Sequence, residues 1–174
     1  MARDTQSIVK MSRREGYALH PKAHKALLKR SALPGQSANG RGMRNKPSQY
    51  SLQLREKQKV KRLYGLLEKQ FSNLMAEATR REGQSGAILL QLLERRLDNA
   101  IYRSGLAPSR RAARQLVTHG HFMLNGRRVD IPSIRLKAGD AIVLRDASKA
   151  NQYFKRIDDV SPANPDAVPA WLKV

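Results

Sequence analysis

The chain contains no cysteine. That excludes disulfides, iron–sulfur clusters and cysteine-based zinc sites, and it fits a reducing compartment. Aromatic residues make up only 5% of its 174 residues, too few for a protein that reads single strands by stacking bases on Phe, Tyr and Trp. Acidic residues are also scarce: 14 Asp and Glu stand against 34 Lys and Arg, a net charge of +20 with a pI near 11.1. No apolar run approaches a membrane span, and the N-terminal Met1-Ala2-Arg3-Asp4-Thr5-Gln6 has no apolar stretch of the kind a secretory signal needs. The signatures of catalysis are missing as well. No Gly-x-Ser-x-Gly occurs, and Gly35, Gly40 and Gly42 lack the Lys-Ser/Thr ending of a nucleotide-binding loop. His20 with His24, and His119 with His121, are sets of two, whereas zinc takes three or four ligands. No catalytic residue, cofactor or metal is therefore expected.

What is present is positive charge in quantity. A charge this large opposes the compact state by self-repulsion, and a polyanion normally neutralises it, nucleic acid first among candidates. A membrane surface would need a basic helix with a bulky apolar face for lipid. The apolar stripes here have the width needed for a protein core, so no membrane partner is expected. The length suits one ordinary domain or two small ones.

Composition divides the chain into four stretches. Residues 1–47 are basic, rich in Gly, Ser and Asn, and poorly periodic, as expected of an extended arm that becomes ordered against RNA. Residues 48–91 begin a helical part. Val60, Leu63, Tyr64, Leu67, Phe71, Leu74, Met75 and Ala78 recur at three- and four-residue steps, which predicts an amphipathic helix from Ser48 or Ser51 to about Arg80. Residues 92–146 form a small module. A helix opened near Ser85 buries Leu89, Leu92, Leu93, Leu97, Ala100 and Ile101 and stops at Gly105; another, opened by Pro108-Ser109, buries Ala112, Ala113, Leu116 and Val117 and ends at Gly120. The period then becomes strand-like, with Asn125-Gly126 as a tight hairpin turn and a further strand at Ala141-Ile142-Val143-Leu144. Residues 147–174 read as an extended, proline-bearing tail that returns to the helical part and docks Trp171 on a core. The predicted class is α+β: helices with a small antiparallel sheet.

The basic residues cluster. Arg110 and Arg114 lie one turn apart with Arg111 beside them, at a helix start whose own N–H groups favour phosphate. A solvated charged face is the plain alternative. However, no Asp or Glu occurs between residues 105 and 129, so the usual ion-pair partners are absent from that stretch. Arg127 and Arg128 follow the hairpin turn and are expected to reach past the fold. Lys57, Lys59, Lys61 and Arg62 line the side of the earlier helix opposite Val60 and Leu67, and Gln53 stands at its start. Arg13, Arg14, Arg41, Arg44 and Lys46 supply the arm. For Arg95 and Arg96 a structural role stands beside RNA contact, because Glu94 and Asp98 can pair with them. A few stacking aromatics and many phosphate-seeking cations favour recognition of RNA by shape.

Several blocks together resemble one family. They are Gln53-Leu54-Arg55-Glu56-Lys57-Gln58-Lys59-Val60, Leu90-Gln91-Leu92-Leu93-Glu94-Arg95-Arg96-Leu97-Asp98-Asn99, Ala113-Arg114-Gln115-Leu116-Val117 and Leu124-Asn125-Gly126-Arg127. With Ser12-Arg13-Arg14-Glu15-Gly16, Pro34-Gly35-Gln36 and Pro169-Ala170-Trp171-Leu172, they look like bacterial and organellar small-subunit ribosomal protein four along nearly the whole chain. The Leu92–Leu144 module alone is shared with several RNA-modifying enzymes, but the Gln53–Val60 block is more specific. The resemblance implies an α+β protein with a mostly helical N-terminal part plus an inserted small RNA-binding module of two helices and an antiparallel sheet, a primary binder of small-subunit rRNA at a multi-helix junction of the first-transcribed region. It would nucleate subunit assembly and contribute to decoding accuracy. It also implies a position at the mRNA entry channel beside ribosomal small-subunit proteins three and five, with Arg44 and Lys46 near entering mRNA. The expected location is cytoplasmic, in the small ribosomal subunit, with a bacterial source ranked before an organellar one. Some bacterial members also repress translation of their own operon. Many members hold zinc with N-terminal cysteines; here Val9 and Ser12 occupy the first two matching places. Relatives also run on for some tens of residues beyond the match to Trp171-Leu172.

Overall fold

The computed structural model describes residues 4–30, 32–35, 47–160 and 168–174. The fold is α+β: helices and, among the described residues, one three-stranded antiparallel sheet. Two compact units divide the chain, Met1–Asn73 and Leu74–Val174.

In the first unit, α1 (Ile8–Glu15) packs against both α2 (Pro21–Lys29) and α3 (Gln49–Leu63). The His20 ring caps α2 by accepting from the Lys22 amide at 3.0 Å, and Ser48 caps α3 by accepting from the Ser51 amide at 3.2 Å. Ser12 is fully buried; its hydroxyl donates to the Ile8 carbonyl at 2.8 Å and accepts from the Leu19 amide at 3.2 Å. It thus ties α1 to the segment leading into α2. Arg13 adds a second tie, donating to the carbonyls of Ala32 and Leu33 at 3.0 and 3.2 Å.

The single helix expected from Ser48 to Arg80 is two. α3 stops at Leu63 and α4 runs Glu68–Arg80. Gly65 has φ +65°, and the amides of Gly65 and Leu66 donate to the carbonyls of Arg62 and Lys61. That pairing closes a helix by satisfying its last carbonyls. Leu66 and Phe71 are buried on either side of the start of α4, so the hydrophobic rhythm continues through a chain that has turned.

In the second unit, the expected helix from Ser85 to Gly105 also divides, into α5 (Ser85–Glu94) and α6 (Leu97–Arg103). Arg96 is extended and bridges to Arg135. The first amides of α6 have no acceptors in their own helix. Here the Leu97 amide donates to the Ile134 carbonyl at 2.9 Å and the Asp98 amide to the Pro132 carbonyl at 3.2 Å. The residues expected to be buried are buried nonetheless. α7 (Arg110–Thr118) starts at Ser109, whose hydroxyl accepts from the Ala112 amide at 3.2 Å. Ala113 and Val117 are its fully buried residues, while Ala112 and Leu116 are half-buried.

The sheet has order β2-β1-β3, from β1 (Phe122–Leu124), β2 (Arg127–Val129) and β3 (Ile142–Leu144). Asn125 and Gly126 take φ 49° and 80°, as a primed two-residue turn requires. The return strand ends at Val129, and Ile131 beyond it is 50% exposed.

The tail departs from expectation. After the sheet come three short helices, α8 (Asp146–Lys149), α9 (Gln152–Lys155) and α10 (Ile157–Val160). Phe154 joins the core of Leu97, Ile101, Ala113, Val117 and Phe122, and its ring meets those of Phe122 and His121 edge-on. Trp171, expected to dock on a core, is 54% exposed, and the tail aromatic that is buried is Phe154.

Candidate nucleic-acid interface

The arginines of α7 are held from below by the start of α6. Asp98 and Asn99 are only 5% and 2% exposed. The Asp98 carboxylate accepts from Arg96 Nε and Nη2 at 3.2 and 3.1 Å and from Arg114 Nη1 at 3.3 Å. The Asn99 amide oxygen accepts from Arg110 Nε at 2.8 Å, and its NH₂ donates to Glu94 Oε2 at 2.7 Å and to the Glu94 carbonyl at 3.1 Å. Glu94 in turn receives both Nε and Nη2 of Arg103. The Arg110 guanidinium lies over the Tyr102 ring, 4.6 Å from its centroid, a favourable cation–π placement.

This network overturns one step of the sequence reasoning. Residues 105–129 do lack acids, but α6 supplies Asp98 and Asn99 across the helix pair. Arg114 is therefore only 15% exposed in its side chain, while Arg111 is exposed. Glu94, Asp98, Asn99, Tyr102 and Arg103 were not among the predicted binding residues. Their signal was the four-residue spacing of Asp98 with Tyr102 and of Asn99 with Arg103, on a helix whose other face is apolar. Arg95 and Arg96 take structural roles: Arg95 Nε donates to the Leu136 carbonyl at 2.8 Å, and Arg96 is 5% exposed.

The two hairpin arginines part company. Pairing sets Arg127 opposite Leu124 and Arg128 opposite Met123, so strand alternation sends them to opposite faces of the sheet. Arg128 shares its face with Met123 and Val143 and lays its guanidinium over Gly120, where a Cβ would come within 2.7 Å of Nε. Both side chains are exposed, and neither makes a hydrogen bond or ion pair among the described residues.

In the first unit, the cations of α3 have carboxylate partners that the sequence reasoning did not assign. Lys57 and Lys61 both donate to Glu68 at 2.5 Å, and Lys59 pairs with Glu56 while sitting over the Tyr17 ring. Hydrogen bonds from Lys57 and Lys61 hold the Glu68 carboxyl down to about 2 from 4.5. Arg62 and Arg55 converge on Glu15, whose side chain is fully buried and whose second oxygen has no hydrogen-bond partner. Arg62 is thereby turned toward α1 and is 15% exposed in its side chain. Gln53 and Arg14 are exposed, and Arg13 is engaged as described. Arg41, Arg44 and Lys46 lie outside the described residues.

Two family models match the chain. The ribosomal protein S4/S9 N-terminal domain covers residues 3–94, and the S4 domain covers residues 95–142. The chain is 51% identical over 175 residues to the small ribosomal subunit protein uS4 of Chlorobium luteolum, spanning 100% of this chain and 84% of that protein. It is 50% identical over 179 residues to uS4 of Clostridioides difficile, covering 99% and 84%. To uS4A of Clostridium botulinum it is 49% identical over 178 residues, covering 99% and 83%.

Proposed function

The chain belongs to the ribosomal protein S4 family, and on that premise we propose that it is a non-enzymatic, rRNA-binding constituent of the small ribosomal subunit. The observation that carries this reading is the α7 surface, where Arg110 and Arg114 are fixed by a buried acid and amide beside an exposed Arg111. A planar guanidinium locked in orientation suits phosphate oxygens. Fixed cations with few aromatics suit recognition of RNA shape.

In finer terms, the target is a multi-helix junction in the first-transcribed region of the small-subunit rRNA. Binding there nucleates assembly, and the bound protein contributes to decoding accuracy. Its neighbours are ribosomal small-subunit proteins three and five; residues 1–47 act as a basic arm, in which Arg44 and Lys46 lie near entering mRNA. Residues 48–91 act as a helical rRNA-binding part, 92–146 as the compact RNA-binding module and 147–174 as the tail. Gln53, Lys57, Lys59, Lys61, Arg13, Arg14, Arg41, Arg127 and Arg128 join the α7 arginines as RNA contacts. Arg62 is the weakest member of that set, since Glu15 already holds it. The location is the cytoplasm of a bacterium, and translational autorepression is a further role open to test.

Sedimentation through a sucrose gradient at moderate salt tests the core of this reading. Stable co-migration with small subunits is expected. Release, or attachment only to large subunits, would overturn it.

A further inference from the structure

Asp98 and Asn99 present a puzzle that the fold alone does not resolve. Both sit in the first turn of α6, whose other buried residues are apolar, and both are at least 95% buried. Burying a carboxylate and an amide is costly unless each is satisfied by partners. An ordinary core would favour apolar side chains of similar size there, since replacing buried ion pairs by hydrophobic residues is often neutral or stabilising. The partners these two have are therefore the informative fact. Arg96 satisfies Asp98 from within its own segment. Glu94 takes the Asn99 NH₂, and the remaining side-chain partners come from α7 and are two of the arginines on the candidate RNA surface: Arg114 on Asp98 and Arg110 on Asn99.

We infer that Asp98 and Asn99 are positioning residues for RNA binding, setting the directions of Arg114 and Arg110 before RNA arrives. The inference rests on the reading of α7 as an RNA surface. Each acceptor takes one guanidinium nitrogen that the structure records, Nη1 of Arg114 and Nε of Arg110. A guanidinium has five N–H donors in a rigid fork, so engaging one edge fixes the plane of the remainder. Tyr102 fixes the Arg110 plane a second time by lying beneath it. A long side chain otherwise loses rotamer freedom when it grips phosphate, and ordering it in advance removes that loss from the binding step. Glu94 extends the arrangement by holding the Asn99 amide in the orientation that presents its oxygen to Arg110. The acids of α6 thus assist an anion-binding surface that they would, by charge alone, oppose.

The test measures affinity and salt dependence of the full chain for a transcript of the first-transcribed region of small-subunit rRNA, with melting curves on every variant. Asn99→Ala and Asp98→Asn are each combined with Arg110→Gln and Arg114→Gln respectively. Each single change is expected to weaken binding about tenfold, the scale of one charge-assisted hydrogen bond. Each double variant is expected to bind no worse than its arginine single, since the acceptor acts only through the arginine. Tyr102→Leu should weaken binding in the same direction, and it too should have no effect once Arg110 is Gln. If Asp98→Asn melts below the assay temperature, the Asn99 and Tyr102 arms decide. Folded variants of Asp98 and Asn99 that bind like the parent, while the arginine changes weaken binding, overturn the positioning role alone. Arginine changes without effect overturn both that role and the reading of α7 on which it rests.

Discussion

α3 and α7 both carry cations one turn apart, yet they hold them by opposite means. On α7 the acceptors are buried, and the cations are arginines whose planes are fixed by Asp98, Asn99 and Tyr102. On α3 two lysines share the Glu68 carboxylate, whose side chain is 54% exposed. Charge follows the same division. The unit Met1–Asn73 has 17 basic and 4 acidic residues, and Leu74–Val174 has 17 basic and 10 acidic, so acids alone account for the difference. In the second unit the acids at 94 and 98 orient cations. In the first, Glu68 neutralises Lys57 and Lys61 from a carboxylate that is itself half-exposed. A fixed planar fork reads geometry, whereas an ammonium acts as a point charge.

The largest effect that separates the two regions is on stability. Asp98→Asn removes the counter-charge of Arg96, whose side chain is 7% exposed, and breaking such a buried pair costs about 3–5 kcal/mol. Glu68→Gln breaks two exposed pairs and should cost under about 1 kcal/mol. Urea denaturation of both variants measures the difference; equal losses would remove the distinction between buried and exposed acceptors. Next in size is a contrast within α7. Arg114→Glu sets a carboxylate against Asp98 and should destabilise by about 1–3 kcal/mol. Arg111→Glu changes an exposed position and should stay within about 0.5 kcal/mol. Both should weaken rRNA binding strongly. A stable Arg114→Glu variant would mean that Asp98 does not hold Arg114 in solution.

Much of this arrangement could be read from sequence because it follows periodicity. The Asn125-Gly126 turn, the Ser48 and Ser109 caps and the buried stripe from Leu89 to Ile101 are local signals with local causes. The breaks at Gly65 and at Arg95-Arg96 were missed because the apolar rhythm passes through both. Gly65 closes α3 through a positive φ, and Arg96 is drawn out by pairing with Arg135, some forty residues on. The partners of the arginines were missed for a related reason. Counting acids along residues 105–129 cannot register Asp98 on the neighbouring helix. Short helices of four residues have too little period to be seen, so Phe154 was overlooked as a core residue.

The smallest expected effect is the order in which the two regions loosen in acid. In the first unit, Lys57 and Lys61 hold Glu68 at about 2, below its ordinary 4.5. A depressed carboxyl contributes stability that is complete above about 4.5 and is lost as pH falls through about 2. In the second unit, burial first, then the charges of His119 and Arg145, hold the His121 imidazole below 6.5. Its folded form resists protonation, so its contribution is complete above about 6.5 and declines as pH falls below that value toward the lowered one. His121 packs edge-on against Phe154 and bonds Ser148 through Nδ1 at 3.0 Å, so the strain of charging it falls on the junction of β1 with α8 and α9. Amide exchange near Phe122, Ser148 and Phe154 should therefore quicken once pH falls below about 6.5, while amides of α3 stay protected until well below about 4.5. His121→Gln should abolish the early phase and leave the later one unchanged. Should α3 loosen first, or should the early phase persist in His121→Gln, another group sets the acid limit of the sheet.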